Sequence, residues 1–308
     1  MKQGLVIKST GSFYSVKTDK GEVLNCKVRG KLRIKGIKST NPIAVGDIVG
    51  YDYDERNQIG LIKTIADRKN YIIRKSINLS KQTHILATNL DVAFLVVTFS
   101  IPETTSMFID RFLVSAEAYH IPVVLLFNKI DLYQQSDLEK VQAYKSLYKS
   151  IGYSCLEVSA ISGENLDTLK EMMLNKSCVF VGHSGVGKSS LVKAIAPEIN
   201  LKISAISHSH LRGRHTTTFA EMFEWESNSY ITDTPGIKAF GLIDLGKEEI
   251  SHYFPEIFKA SHQCKFQNCT HSHEPDCFVK ESVKQNTISE SRYYNYLMMI
   301  EDKNENYR

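Results

Sequence analysis

The sequence predicts a multidomain α/β protein with three parts: a small β-barrel, a mostly parallel α/β domain and a helical metal-binding segment. Residues 1–81 contain about five short strand-like stretches separated by turn residues. Residues 82–241 alternate apolar strands with amphipathic helices, which is typical of a parallel sheet covered by helices on both faces. Residues 242–308 are polar and helical, and they contain a cluster of cysteine and histidine.

The first part has the strand content of an OB-fold. It is also strongly basic, with seventeen Lys and Arg against seven Asp and Glu, whereas the remaining residues carry twenty-one against twenty-seven. Such a module favours polyanions, and we expect it to bind RNA; a solvated charged surface is the alternative. If extended, one segment would place five basic residues on one face. They are Lys27, Arg29, Lys31, Arg33 and Lys35.

The second part begins with apolar runs of strand length, such as Val92–Val97 and Val123–Phe127. They are too short to span a membrane. In a parallel sheet the ligand-binding loops lie at the carboxyl ends of the strands, so the residues after each run are the candidate site. Six cysteines, three of them within Cys264–Cys277, and no visible secretion signal indicate a reducing compartment. We expect a cytoplasmic protein that is monomeric and does not contact membranes.

A phosphate-binding loop is predicted at Gly182–Ser189, where "GHSGVGKS" has the spacing G-x-x-x-x-G-K-[ST]. Its glycines let backbone N–H groups converge on phosphates, Lys188 would contact the β and γ oxygens, and Ser189 would bind Mg²⁺. A strand-like stretch precedes the motif and a helical pattern follows it. This context distinguishes the motif from a chance glycine-rich turn.

Guanine recognition is predicted at "NKID", Asn128–Asp131, directly after an apolar run. The Asp131 carboxylate can accept hydrogen bonds from N1–H and the 2-amino group of guanine, and adenine offers neither donor. We expect Asn128 to tie this loop to its neighbours and the stem of Lys129 to cover the base. "VSA", Val158–Ala160, also ends a strand and fits the loop whose backbone N–H contacts the guanine oxygen.

Two further motifs complete the predicted nucleotide site: "GRHTTT", Gly213–Thr218, and "DTPG", Asp233–Gly236. Asp233 would hold Mg²⁺ through water, and the Gly236 N–H would contact the γ-phosphate. A threonine hydroxyl would bind Mg²⁺ as well, and Thr216, Thr217 and Thr218 are all candidates, with Thr217 as the working assignment. The predicted GTP-binding residues are Asn128, Lys129, Ile130, Asp131, Ser159, Ala160, Gly182, His183, Ser184, Gly185, Val186, Gly187, Lys188, Ser189, Ser190, Asp233 and Gly236.

The residue after "DTPG" is Ile237, where Ras-like GTPases carry the glutamine that orients the attacking water. Isoleucine cannot hydrogen-bond water. Either hydrolysis is very slow or another residue supplies this contact. His215, inside "GRHTTT", is our candidate catalytic residue, and an exposed loop histidine without a catalytic role is the alternative.

A metal site is predicted in "CKFQNCTHSHEPDC", where three cysteines and a histidine have the spacing C-x4-C-x-H-x5-C. Three thiolates and one imidazole form a closed Cys₃His set that is typical of structural zinc, and we expect one Zn²⁺ per chain. His273 could replace His271, and three reduced core cysteines are the alternative without metal. The predicted ligands are Cys264, Cys269, His271 and Cys277.

The motifs occur in the order NKID, VSA, GHSGVGKSS, GRHTTT, DTPG, which is that of a circularly permuted GTPase. With the OB-like first part, including "STNPIAVGD", and the Cys₃His segment, the whole chain resembles the ribosome small subunit-dependent GTPase A family (RsgA, also called YjeQ). The resemblance implies a bacterial cytoplasmic GTPase that acts late in maturation of the 30S subunit, binds 16S rRNA and is stimulated by the subunit. It also implies a catalytic role for His215, an apolar residue at Ile237 and no metal contact from His273.

Four alternatives remain open at this stage. They are a signalling GTPase without a nucleic-acid partner, an ATP-driven enzyme, a zinc-dependent RNA-binding protein with a vestigial GTPase fold, and a GTP-regulated RNA-binding protein with little turnover. The reversed motif order joins "DTPG" directly to the zinc segment. We therefore expect the γ-phosphate near Gly236 to influence how that segment contacts rRNA.

Overall fold

The computed structural model describes residues 1–28, 42–75, 83–199, 220–233 and 245–301. The first five strands form the predicted barrel. They are β1 (Lys2–Ser9), β2 (Tyr14–Thr18), β3 (Val23–Val28), β4 (Ile48–Asp54) and β5 (Ile59–Ile65). Strand β1 pairs with both β2 and β4, and β3 pairs with β5 in parallel, so the sheet closes on itself. This is the OB-like barrel that the sequence predicts.

A short hairpin follows the barrel and leads into the α/β domain. Its strands are β6 (Tyr71–Lys75) and β7 (Thr83–Thr88). The domain boundary expected at residue 81 falls between these two strands and stays a prediction, since the barrel strands themselves end at Ile65.

The α/β domain is built on a mostly parallel sheet. Its strands are β8 (Val92–Val97), β9 (Val123–Asn128), β10 (Ser154–Val158), β11 (Ser177–Val181), β12 (Glu221–Glu226) and β13 (Ser229–Asp233). Their order is β10-β9-β8-β11-β13-β12, and only β12 runs antiparallel to its neighbour in this domain. Every residue of β8 and β9 is buried because helices cover both faces of the sheet.

Two hydrophobic clusters form the core of this domain, one on each face of the sheet. Alternate residues of β8 belong to different clusters: Leu95 to one and Phe94 to the other. Residues of the first two helices join the cluster of Leu95, and residues of the next two join that of Phe94. These helices are α1 (Ser106–Ala118), α2 (Gln135–Ile151), α3 (Leu166–Met173) and α4 (Lys188–Ile195).

In the described part of the chain, the barrel contacts the α/β domain through β12 and the hairpin that leads into that domain through Asp47. Strand β1 pairs with β12, with Lys8 opposite Glu221. At the second contact, the fully buried Asp47 of the barrel accepts hydrogen bonds from Arg68 (2.6 Å to each carboxylate oxygen) and from the Thr88 hydroxyl (2.9 Å). A buried carboxylate that is fully hydrogen-bonded fixes the relative position of the groups around it.

The helical C-terminal part packs on α1. Its helices are α5 (Pro255–Ser261), α6 (Phe278–Lys284) and α7 (Glu290–Glu301). Within the residues that the structure describes, no helix is both long and apolar enough to cross a membrane.

A buried ion-pair network joins this part to α1. The guanidinium of Arg292, 1% exposed, donates to Asp110 at 2.6 Å and to Glu256 at 2.7 and 3.0 Å, and it lies 4.4 Å from the ring centroid of Phe254. Asp110, also fully buried, accepts further hydrogen bonds from Tyr148 and Asn295. Because both charges are removed from water, each depends on its partners to offset the cost of desolvation.

We predict that Arg292→Met lowers the free energy of unfolding by about 3–5 kcal/mol, because the carboxylates of Asp110 and Glu256 lose their buried counter-charge. Urea unfolding of the full chain measures this change. Lys265→Met is the matched control, because Lys265 pairs with Asp276 at 3.3 Å on an exposed surface; we expect a change within about 0.5 kcal/mol. Equal effects of the two substitutions would contradict a stabilising role for the network.

Candidate nucleotide site and metal centre

The predicted nucleotide motifs converge at one edge of the sheet. Strands β8, β9, β10, β11 and β13 are parallel to one another, so their carboxyl ends lie side by side. "NKID" begins at the last residue of β9 and "VSA" at the last residue of β10. The glycine-rich loop follows β11, and Asp233 ends β13. The reversed order of the motifs along the chain therefore leaves their arrangement in space compatible with one site.

The glycine-rich loop requires glycine at the positions where it curls. Gly182 and Gly187 have φ angles of +146° and +96°. A Cβ at Gly182 would lie 2.5 Å from the Val96 carbonyl oxygen, and one at Gly187 would lie 2.4 Å from the side-chain nitrogen of Asn128. The loop ends at the N-terminus of α4, where backbone N–H groups favour an anion.

The ammonium group of Lys188 lies within the curled loop. Its Nζ donates to the carbonyl oxygens of Gly182 at 2.8 Å and His183 at 2.6 Å. The ring of His183 packs on Phe108 of α1, with 3.7 Å between ring centroids. Burial, and then the neighbouring Lys188, lower the pKa of His183, which favours its neutral form. This contact with α1 supports the loop. Four residues of the motif remain exposed: Ser184, Gly185, Ser189 and Ser190.

The base-recognition loop is tied to the phosphate loop by Asn128. Its side-chain nitrogen donates to the Val186 carbonyl oxygen at 2.8 Å, which is the tie between loops that we expected. Asn128 is 1% exposed, and its side-chain oxygen Oδ1 is buried without a partner among the described residues. A buried acceptor of this kind can receive a hydrogen bond from a ligand or from an ordered water.

A hydrogen bond between Asp131 and Ser159 joins the base-recognition loop to the "VSA" loop. The Ser159 hydroxyl donates to Asp131 Oδ1 at 2.5 Å and accepts from the backbone N–H groups of Ile161 and Ser162. This arrangement orients the exposed Asp131 carboxylate, and Oδ2 has no hydrogen-bond partner among the described residues. Ile130 and Ala160 lie beside these residues and are partly buried.

Two hydrogen-bonded supports of this edge were not predicted from the sequence, and the expected cover of the base by the Lys129 stem stays a prediction. The hydroxyl of Tyr133 accepts from the Phe99 N–H at 2.9 Å and donates to the Asn128 carbonyl oxygen at 2.8 Å, and burial raises its pKa to about 12. Lys129 donates from Nζ to the Ile101 carbonyl oxygen at 2.7 Å. Tyrosine five positions after Asn128 is a weak sequence signal, because one of its two partners, the Phe99 N–H, comes from another loop.

Asp233 provides a carboxylate beside the phosphate loop. It ends β13, which pairs with β11, the strand that leads into that loop. Burial, and then the negative charge of Glu221, raise the pKa of Asp233. Carboxylate and hydroxyl oxygens are the ligands that Mg²⁺ prefers, so Asp233 and the Ser189 hydroxyl have the chemistry that such a cation requires.

Several predicted residues lie outside the described part of the chain. They are Arg29, Lys31, Arg33, Lys35, His215, Thr216, Thr217, Thr218, Gly236 and Ile237. Their predicted roles stay predictions. Of the basic set only Lys27 is described, on β3, with its Nζ 4.5 Å from the ring centroid of the exposed Phe13.

The predicted Cys₃His set forms a candidate metal centre. The ligand atoms of Cys264, Cys269, His271 and Cys277 all lie within 4.8 Å of one another. Cys264 Sγ and Cys277 Sγ are 3.9 Å apart, and each lies 3.6 Å from His271 Nδ1. With metal–sulfur bonds of about 2.3 Å, the edges of a tetrahedron measure about 3.8 Å, so this spacing fits a four-coordinate metal ion.

Groups around the centre hold its loop in place. Tyr293 and Tyr296 of α7 donate to the carbonyl oxygens of His271 and Thr270, both at 2.6 Å. Burial opposes ionisation of Glu274, but hydrogen bonds from the hydroxyl and N–H of Thr270 outweigh it and lower the pKa of Glu274 to about 2. Burial lowers the pKa of His271, which favours the neutral imidazole that binds metals. His273 bonds Ser272 instead and is not part of the Cys₃His set.

Comparisons with known proteins match this chain over nearly its whole length. Residues 65–243 match the family described as RsgA GTPase, and residues 3–62 match the RsgA N-terminal domain. The small ribosomal subunit biogenesis GTPase RsgA of Bacteroides fragilis (strain YCH46) is 54% identical over 303 residues, covering 98% of this chain and 97% of that protein. The protein of the same name from Christiangramia forsetii is 52% identical over 308 residues, covering 99% and 98%.

Two solved structures are similar to this fold. YjeQ from Thermotoga maritima gives a TM-score of 0.79 at 36% identity and covers 97% of both chains. YloQ, described as a circularly permuted GTPase, gives 0.77 at 31% identity and covers 97% of this chain and 94% of its own. Because the matches include barrel, nucleotide domain and C-terminal part together, the chain belongs to the RsgA GTPase family.

Proposed function

We propose that this chain binds GTP, hydrolyses it to GDP and phosphate, and acts in biogenesis of the small ribosomal subunit. The observation that carries this proposal is the clamp between the base and phosphate loops: Asn128 bonds the Val186 carbonyl, and Ser159 orients Asp131. The oriented Asp131 carboxylate favours guanine over adenine. The ribosomal role rests on the names of the relatives, which are called small ribosomal subunit biogenesis GTPases.

In the proposed mechanism the chain positions the nucleotide and stabilises its charge. Lys188 and the N–H groups that begin α4 bind the phosphates, while Asn128, Lys129 and Asp131 orient the base. Mg²⁺, held by Ser189, Asp233 and a threonine of Thr216–Thr218, would neutralise charge on the phosphate oxygens. His215 orients the attacking water, because Ile237 has no group that can do so.

We further propose that the barrel binds 16S rRNA and that the Cys₃His centre holds one structural Zn²⁺. The exposed Phe13 with Lys27 beside it offers a stacking surface and a cation, which are the two groups that bind single-stranded nucleic acid.

For zinc, elemental analysis of the purified chain should give one equivalent. Cys277→Ser should lose it, whereas Cys155→Ser, on β10, should retain it; zinc in neither or in both would refute the assignment.

The function is tested by GTP turnover with and without purified 30S subunits, with 50S subunits as the control. We expect 30S to increase turnover by at least about tenfold, since an activating partner stabilises the transition state of a slow GTPase. His215→Ala should lower turnover about 100-fold or more while changing GTP affinity little. No stimulation by 30S would contradict the ribosomal role, and equal losses of turnover and affinity would contradict the role of His215.

The geometry of the phosphate loop gives a second prediction. Gly187→Ala should weaken GDP binding about 10- to 100-fold, because the new Cβ displaces the Asn128 side chain that joins the two loops. Gly152→Ala is the matched control, because Gly152 has φ of +116° but no atom within 4 Å of the added Cβ. Titration with a fluorescent GDP analogue measures both affinities. Equal weakening by both substitutions would mean that backbone strain, and not the clamp, is responsible.

A further inference from the structure

Three charged residues form a row across three neighbouring strands, one from the barrel and two from the nucleotide domain. Lys8 of β1 lies opposite Glu221 of β12, and Glu221 lies opposite Asp233 of β13. Directly opposed residues of antiparallel strands project from the same face, with Cβ atoms about 4.5–5.5 Å apart. The row therefore runs from the basic barrel to the carboxylate that we assign to the cation site.

The contacts along this row are consistent with electrostatic coupling. Lys8 Nζ lies 2.9 Å from Glu221 Oε1, in a pair whose side chains are 42% and 34% exposed. Glu221 is in turn the direct cross-strand neighbour of Asp233, so its charge lies beside that carboxylate. Lys8 neutralises a negative charge that would otherwise act on the cation site.

We propose that Lys8 is a positioning residue for the nucleotide-bound cation: by pairing with Glu221, it sets the charge beside Asp233 and so the affinity of the site for Mg²⁺. This proposal rests on the proposed function, because it assumes that Asp233 serves the cation. An unpaired Glu221 carboxylate attracts a divalent cation, and an unpaired Lys8 ammonium repels it. Any movement of the barrel that separates the two groups therefore changes how firmly the site holds Mg²⁺ and its nucleotide.

A second ion pair joins the same parts of the molecule without reaching the cation site. Lys17 of β2 lies 2.5 Å from Glu224 of β12 and 3.1 Å from the Tyr230 hydroxyl. The residue opposite Glu224 on β13 is Tyr230, which is uncharged, and not a carboxylate. Lys17 thus supports attachment of the barrel as Lys8 does, but it has no connection to Asp233 and serves as the matched control.

The test is a Mg²⁺ titration of the dissociation rate of a fluorescent GDP analogue from the full chain. Lys8→Gln should lower the Mg²⁺ concentration at half-effect by about three- to tenfold, and Glu221→Gln should raise it by a similar factor. The double variant should return to within about twofold of the unsubstituted chain, since both charges are then absent. Lys17→Gln should leave the Mg²⁺ dependence unchanged.

Opposite shifts for the two single variants are the signature of charge acting on the cation site. If both variants shift in the same direction, or Lys17→Gln shifts as much as Lys8→Gln, the pair acts only by attaching the barrel and the proposal is wrong. If the unsubstituted chain retains the GDP analogue equally well with and without Mg²⁺, the assignment of Asp233 and the proposed site fail instead.

Discussion

The hydrogen bond from Asn128 to the Val186 carbonyl joins two loops that lie 58 positions apart along the chain. It can form only because β9 and β11 flank β8 in a parallel sheet, so that their carboxyl ends reach the same edge. Gly187 must lack a side chain for Asn128 to fit, and Tyr133 holds the backbone of Asn128 from the other side. The base-recognition and phosphate loops are therefore one structural unit in spite of the reversed motif order.

The flanking parts of the protein attach close to that unit. The barrel pairs through β1 with β12, and β12 pairs with β13, the strand that ends at Asp233. The C-terminal part attaches through Arg292 to Asp110 on α1, two residues after Phe108, which packs on His183 of the phosphate loop. One secondary-structure element thus separates each flanking part from the nucleotide site: β12 on the side of the barrel and α1 on the side of the C-terminal part.

The sequence was sufficient wherever local chemistry determines position. The barrel strands, the burial of β8, the glycine positions and the Cys₃His set follow from alternation, turn residues and spacing. The supports formed through tertiary contacts could not be predicted. Asp110 and Arg292 are 182 positions apart, and neither differs locally from an ordinary charged helix residue. The pairing of β1 with β12 likewise depends on how two parts that are far apart in the sequence meet.

Through these contacts the nucleotide site is connected mechanically to both flanking parts. Hydrogen exchange of the full chain, with GDP and with a non-hydrolysable GTP analogue, on and off the 30S subunit, tests it most directly. We predict that exchange differs between the two nucleotides in β12, in α1 and in residues 245–301 of the C-terminal part. Differences confined to the phosphate and base loops, with β12, α1 and residues 245–301 unchanged, would contradict it.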